Sequence, residues 1–128
     1  MYSDVLIEHF TNPRNVGTID DADAYARVES DACGDVMELY LRVRDGLIDD
    51  IKYRTFGCAA AIASGSMAPE MIKGRPLAEA ARLSDEMIVG ALGGLPEAKI
   101  HCSVLAASAL HAALENYFQA HPEARPAG

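Results

Sequence analysis

Apolar positions open the chain at helical spacing. Tyr2, Val5, Leu6, His9 and Phe10 fall at i, i+3, i+4, i+7 and i+8, one face of a short helix that begins near Ser3 and is stopped by Asn12-Pro13. Residues 11–23 carry Pro13, Asn15, Gly17 and three aspartates, the composition of a loop crossing to the first strand. From Ala24 the period changes to two. Residues 25–29 alternate weakly, whereas Met37, Leu39, Leu41 and Val43 alternate cleanly with Glu38, Tyr40, Arg42 and Arg44. Asp45-Gly46 is a hairpin signal, and residues 48–56 supply a third strand with Ile51, Tyr53 and Thr55 on one face. The expected sheet is an antiparallel meander of three strands. Its apolar face needs a cover, because so small an open sheet is unstable alone.

The second half is rich in alanine and reads as helices. Residues 59–73 continue from Cys58, with Gly74 as a C-cap and Pro69 where it removes a backbone donor and should kink the helix. Short helical segments follow over 77–82 and from Ser84-Asp85-Glu86 to Gly90, and Gly93-Gly94-Leu95-Pro96 reads as a turn. A last helix over about 103–118 aligns Leu110, Leu114, Tyr117 and Phe118, and residues 121–128, with Pro122 and Pro126, read as a flexible tail. Strands first and helices after them predict a single α+β domain over 1–128, a three-stranded antiparallel sheet with helices packed on one face.

Composition narrows the function more than the fold. With 128 residues, 50% of them hydrophobic, a real core is available. Lys plus Arg number 11 against 19 Asp plus Glu, and the formal charge of -8 argues against binding a nucleic-acid backbone. No apolar run approaches the roughly 20 residues of a membrane span, and Met1 leads into an acidic, polar turn instead of a basic leader. A soluble, cytoplasmic protein with no membrane partner is expected. Its 3 cysteines, an odd number with no C-x-x-C pair, do not fit a disulfide framework.

All three cysteines fall at element boundaries. Cys33 lies between two strands in Ala32-Cys33-Gly34-Asp35, Cys58 where the third strand enters a helix, and Cys102 at the start of the last helix in His101-Cys102-Ser103. Their spacing matches no compact zinc finger, so a shared site has to be assembled by the fold. In a meander covered by helices, a strand tip and two helix starts can meet at one end of the sheet, and helix N-termini favour thiolate over thiol. Glycines at 34 and 57 permit tight backbone there. Asp35 adds one hard oxygen and His101 one imidazole nitrogen to three soft sulfurs, a donor set that suits zinc, copper(I) or iron-sulfur chemistry with one exchangeable position. Taken singly, each of these residues has a plainer reading. A lone cysteine is usually an inert buried residue, Asp35 suits a turn cap after Gly34, and His101 suits a helix start. His9, His111 and His121 read as helix-face or tail residues with no ligand role.

Five blocks in order resemble the U-type iron-sulfur cluster assembly scaffold family, one branch of which is the N-terminal domain of the nitrogen-fixation scaffold. They are H-F-T-N-P-R-N-V-G (9–17), A-C-G-D (32–35), F-G-C-A-A-A-I-A-S-G-S (56–66), M-I-K-G-R-P-L-A-E-A (71–80) and L-G-G-L-P-E-A-K-I-H-C-S-V-L-A (92–106). The resemblance implies a scaffold on which a [2Fe-2S] cluster is built and then passed to apo iron-sulfur proteins, a sulfur acceptor and not a turnover enzyme. By position it implies that Cys33, Asp35, Cys58 and either His101 or Cys102 hold incoming iron, or zinc in purified protein. It further implies that Cys102 accepts persulfide sulfur from a cysteine desulfurase and that Lys99 stabilises nearby thiolates. A frataxin-like protein and a ferredoxin are the implied iron or electron donors. Leu95-Pro96-Glu97-Ala98-Lys99 stands where the housekeeping scaffold reads Leu-Pro-Pro-Val-Lys, which counts against recruitment of a specialised Hsp70-type chaperone. A homodimer with a cluster bridged between subunits is open, and Tyr2 could join that contact.

Two competing functions belong to other classes. A zinc-dependent sulfur acceptor, resembling the sulfur-mobilisation branch of Gram-positive bacteria, would carry Lys where His101 stands and an insertion for which the span from Cys58 to Cys102 is short. A thiol hydrolase using Cys102 with His101 is weaker, because adjacent helical residues do not face each other.

Overall fold

Strands β1 (Ala24–Glu29), β2 (Val36–Arg44) and β3 (Leu47–Phe56) form an antiparallel sheet in the order β1-β2-β3 in the computed structural model, which describes residues 2–30 and 34–126. Asp45 and Gly46 both have positive φ (54° and 75°), the primed turn whose twist suits a two-residue hairpin. The register slips between Arg42 and Val43, so that Arg42 faces Asp50 while Val43 faces Ile48. One extra residue on β3 is what lets Ile48 and Ile51, three apart, both point inward. Met37, Leu39, Leu41, Ile51 and Tyr53 are all buried on that inner face. The other face is polar: Tyr25 Oη donates to Glu38 (2.6 Å) and the Arg54 guanidinium forks onto the same carboxylate (2.7 and 3.1 Å).

Helices α1 (Asp4–Thr11), α2 (Ala59–Ile72), α3 (Leu77–Ala80), α4 (Asp85–Ala91) and α5 (Ile100–Ala120) complete the fold. α5 lies across β1 and β2, α2 covers β3 and packs on α5, and α1 packs on α2. The expected α+β architecture is present.

Local chemistry accounts for the boundaries. Ser3 caps α1 by accepting from the Leu6 N–H (3.0 Å), and Ser84 caps α4 by accepting from Met87. A 3-10 turn over Glu97–Lys99 leads into α5, which therefore starts at Ile100, earlier than its apolar stripe indicates. Pro69 sits in the last turn of α2, where it has no N–H to give to the carbonyl four residues back, and the helix ends three residues later at Ile72. α1 buries a narrower face than its periodicity suggests. Leu6 and His9 are buried, whereas Val5 and Phe10 remain about two-fifths exposed (42% and 41%).

Small residues on α2 let the sheet come close. A Cβ at Gly65 would lie 2.5 Å from Cε2 of Tyr53, so the helix backbone rests directly on that ring. Tyr53 Oη donates to the Ile62 carbonyl (3.0 Å), and burial pushes its phenol up to about 12. The loop after α1 is tied to the same region. Tyr53 N–H donates to Asn15 O and Gly17 N–H donates to Tyr53 O (both 2.9 Å), while Ser66 Oγ accepts from Arg14 N–H (2.8 Å) and pairs with His9 Nδ1 (2.7 Å).

After α5, Pro122–Ala124 forms a 3-10 turn from which Arg125 reaches back to the Glu115 carboxylate (2.8 and 2.9 Å) and lies 5.3 Å over the Phe118 ring. No helix among the described residues is long and apolar enough to cross a membrane.

Candidate metal centre

One end of the sheet gathers the chemistry. β3 runs out at Phe56, Gly57 turns the chain, and Cys58 is the N-cap of α2 with extended backbone (φ -76°, ψ 175°) and no capping bond from its thiol. Its carbonyl accepts the first helical bond from Ile62 (3.0 Å), so the backbone of Cys58 is committed to the helix and its sulfur is available for other work. Cys102 is buried in the first turn of α5. The two Sγ atoms are 3.4 Å apart.

Asp35 comes to the same point from the β1–β2 connection. Ser30 N–H donates to Asp35 O and Gly34 N–H to Ser30 O (both 2.8 Å), with Gly34 at φ 74°, so the strand ends are tied immediately beside the aspartate. One carboxylate oxygen of Asp35 and the sulfurs of Cys58 and Cys102 all lie within 4.8 Å of one another. Asp35 Oδ2 is shut off from solvent and has no hydrogen-bond partner among the described residues. A buried carboxylate oxygen without a donor is costly unless something cationic or protonated completes it. Two sulfurs and one oxygen converging in this way match the ligand chemistry of zinc or iron, with room for a further ligand.

The surroundings support that reading. Ala60 and Ala61 form a buried floor with Cys102, against which Tyr2, Cys58 and Leu95 pack. The N-termini of α2 and α5 converge here, and the positive ends of the helix dipoles favour negative charge. Lys99 is the N-cap residue of α5, adjoining the site in the chain.

Of the residues singled out in the sequence, Asp35, Cys58 and Cys102 are brought together. Cys33 lies outside the described residues. His101 is not part of the close group. It stands in the first turn of α5 beside a cleft lined by Val28, Glu29, Ser30, Val104 and Leu105, and its Nε2 is buried with no hydrogen-bond partner among the described residues. His9 and His111 make internal bonds, to Ser66 Oγ and to the Leu83 carbonyl (both 2.7 Å). The intimate packing of Asp35 on Gly57 has no periodic signature and is invisible in the sequence, where only the Gly-Cys pair marks the place.

A family model described as the NifU-like N terminal domain matches residues 1–124. The iron-sulfur cluster assembly scaffold protein IscU 1 of Archaeoglobus fulgidus is 54% identical over 119 residues, which span 93% of this chain and 78% of that protein. The iron-sulfur cluster assembly scaffold protein IscU of Azotobacter vinelandii is 48% identical over 120 residues, 91% of this chain and 93% of its own length. Among solved structures, a nitrogen-fixing NifU-like protein (N-terminal) from Brucella abortus superposes with a TM-score of 0.72 at 22% identity, covering 91% of this chain and 94% of that one, a likeness of fold.

Proposed function

This chain belongs to the NifU-like N-terminal domain family, and from that membership we propose that it is an iron-sulfur cluster assembly scaffold whose cargo is built at Asp35, Cys58 and Cys102. The observation that carries the reading is the convergence of one buried carboxylate oxygen and two thiol sulfurs within 4.8 Å at two helix starts. Named scaffold relatives at 48% and 54% identity support it, and they favour it over the zinc-dependent sulfur acceptor.

Iron is cargo here, not a resident cofactor. The thiolates are soft ligands that hold iron through both loading and cluster formation, and the carboxylate is a hard one that exchanges more readily. Cys33, next in sequence to Gly34, supplies a third sulfur, and His101 or Cys102 supplies the remaining ligand of a [2Fe-2S] cluster. Sulfur arrives as a persulfide on Cys102, delivered by a cysteine desulfurase. Persulfide sulfur is more oxidised than sulfide, so two electrons are required: R–S–SH + 2e⁻ + H⁺ gives R–S⁻ + H₂S. A ferredoxin-type donor supplies those electrons, and the finished cluster passes to apo-proteins. The cluster is built on the protein's own ligands and handed on whole, one per loaded site, which is the part of a scaffold and not of a turnover enzyme.

Replacing Cys58 with Ser tests the site. Under anaerobic reconstitution with iron, sulfide and reductant, the parent protein should develop visible charge-transfer absorption and the Cys58→Ser variant should lose most of it. Equal cluster content in the two proteins would place the site elsewhere.

A further inference from the structure

Position 57 and the carboxylate of Asp35 compete for one space. A Cβ built on Gly57 would lie 2.8 Å from both Cγ and Oδ2 of Asp35 and 3.0 Å from Cβ of Ala61. Carbon atoms in contact settle at about 3.5–4.0 Å, so a side chain here requires something to move. Ala61 is fully buried in the floor of the site and has nowhere to retreat. The Asp35 side chain is the part free to swing, and swinging takes its carboxylate away from the thiols.

Backbone freedom is not what this glycine supplies. Its φ lies outside the left-handed region, unlike Gly34 at 74° or Gly46 at 75°, so alanine is conformationally admissible at 57. What distinguishes the position is the missing side chain. We propose that Gly57 is a positioning residue for metal loading: its bare Cα holds open the seat in which the Asp35 carboxylate meets Cys58 and Cys102. The same residue joins Phe56, the end of β3, to Cys58, the cap of α2, so one position sets both the turn that presents a sulfur and the gap that admits an oxygen. This inference rests on the scaffold reading above, in which Asp35 is a ligand to the incoming metal ion.

A double-mutant cycle separates this role from a merely structural one. Apo protein, kept reduced and anaerobic, is titrated with Co(II) alone in four forms: parent, Gly57→Ala, Asp35→Ala, and the double variant. The readouts are the Co(II) dissociation constant and the thiolate-to-cobalt and ligand-field bands. Gly57→Ala should weaken Co(II) binding by about tenfold or more, with the same ligand-field shift that Asp35→Ala produces. In the double variant the carboxylate atoms that collide are gone and only the 3.0 Å approach to Ala61 Cβ remains, so binding should match Asp35→Ala alone within about threefold, a coupling that independent sites would not show. Parent-like binding by Gly57→Ala, or a further tenfold loss in the double variant, would overturn the proposal. Should Gly57→Ala fail to fold while the double variant folds, the collision with Asp35 is supported. If neither folds, position 57 needs glycine for the fold itself and the proposal falls. A parent protein that shows no thiolate-to-cobalt band sinks the scaffold reading together with this one, whereas a parent that binds beside a parent-like Gly57→Ala sinks only this one.

Discussion

Asp35 carries more of the site's character than either sulfur beside it. It is the hard donor among the three converging groups, and its Oδ2 is buried without a hydrogen-bond partner among the described residues. Removing an exchangeable oxygen ligand should close the easiest route by which a cluster leaves. Asp35→Ala is therefore expected to slow cluster loss to a chelator, followed as decay of visible absorption, and a faster decay would contradict the labile-ligand role. A second residue-scale prediction concerns Gly65, whose Cα lies under the Tyr53 ring with Met37 Cε also 3.0 Å from any added Cβ. Because both neighbours are fully buried, Gly65→Ala should cost about 1–3 kcal/mol, read as a lower urea midpoint with unchanged slope. Rare chemistry made Asp35, Cys58 and Cys102 stand out as candidates in the sequence, and these three converge, whereas Cys33 lies outside the described residues and His101 stands apart from the group. A residue's role was not legible where geometry decides, since Gly57 and Gly65 look alike as letters and differ only in what lies above each Cα.

Elements were legible in proportion to how cleanly their pattern repeats. β2 alternates without interruption and extends its expected run by one residue, Val36, whereas β3 hides a register slip that only pairing with β2 reveals. α1 illustrates another limit. Its apolar stripe includes Val5 and Phe10, but among the described residues α1 packs mainly on α2 and buries just Leu6 and His9. His9 looks like a helix-face residue in sequence and turns out to lock α1 to α2 through Ser66. Burial, with the Arg14 charge adding to it, holds its pKa below the ordinary value of 6.5. The folded state thus favours neutral His9, so its contribution is present above about pH 6.5 and is lost as pH falls below it, where the unfolded chain takes up the proton more readily. Urea midpoints at pH 7.5 and 5.5 should differ more in the parent than in His9→Gln, which keeps a hydrogen-bonding group but does not titrate. Equal differences would remove His9 from the acid response.

At the scale of the whole molecule, the meander and the helix layer matter because they bring the β1–β2 connection, the end of β3 and the starts of α2 and α5 to one end of the sheet. The architecture could be read from the switch of period at Ala24 and back at Ala59, but the meeting of Asp35, Cys58 and Cys102 could only be expected from topology. His101 shows what topology leaves undetermined: one helical residue from Cys102, it faces a different cleft. The core spans both layers, so a truncation such as Leu110→Ala, at a fully buried position of α5, should cost about 2–5 kcal/mol. A two-state melt in which metal-site and sheet signals fall together would report it. The central claim is that this end of the molecule assembles and holds an iron-sulfur cluster. Iron and acid-labile sulfide content, measured with the visible spectrum on anaerobically purified protein, tests it most directly. The account predicts iron and sulfide in equal amounts with charge-transfer absorption that Cys58→Ser largely removes, and protein that carries zinc alone and takes up neither iron nor sulfide when a cysteine desulfurase and reductant are supplied would contradict it.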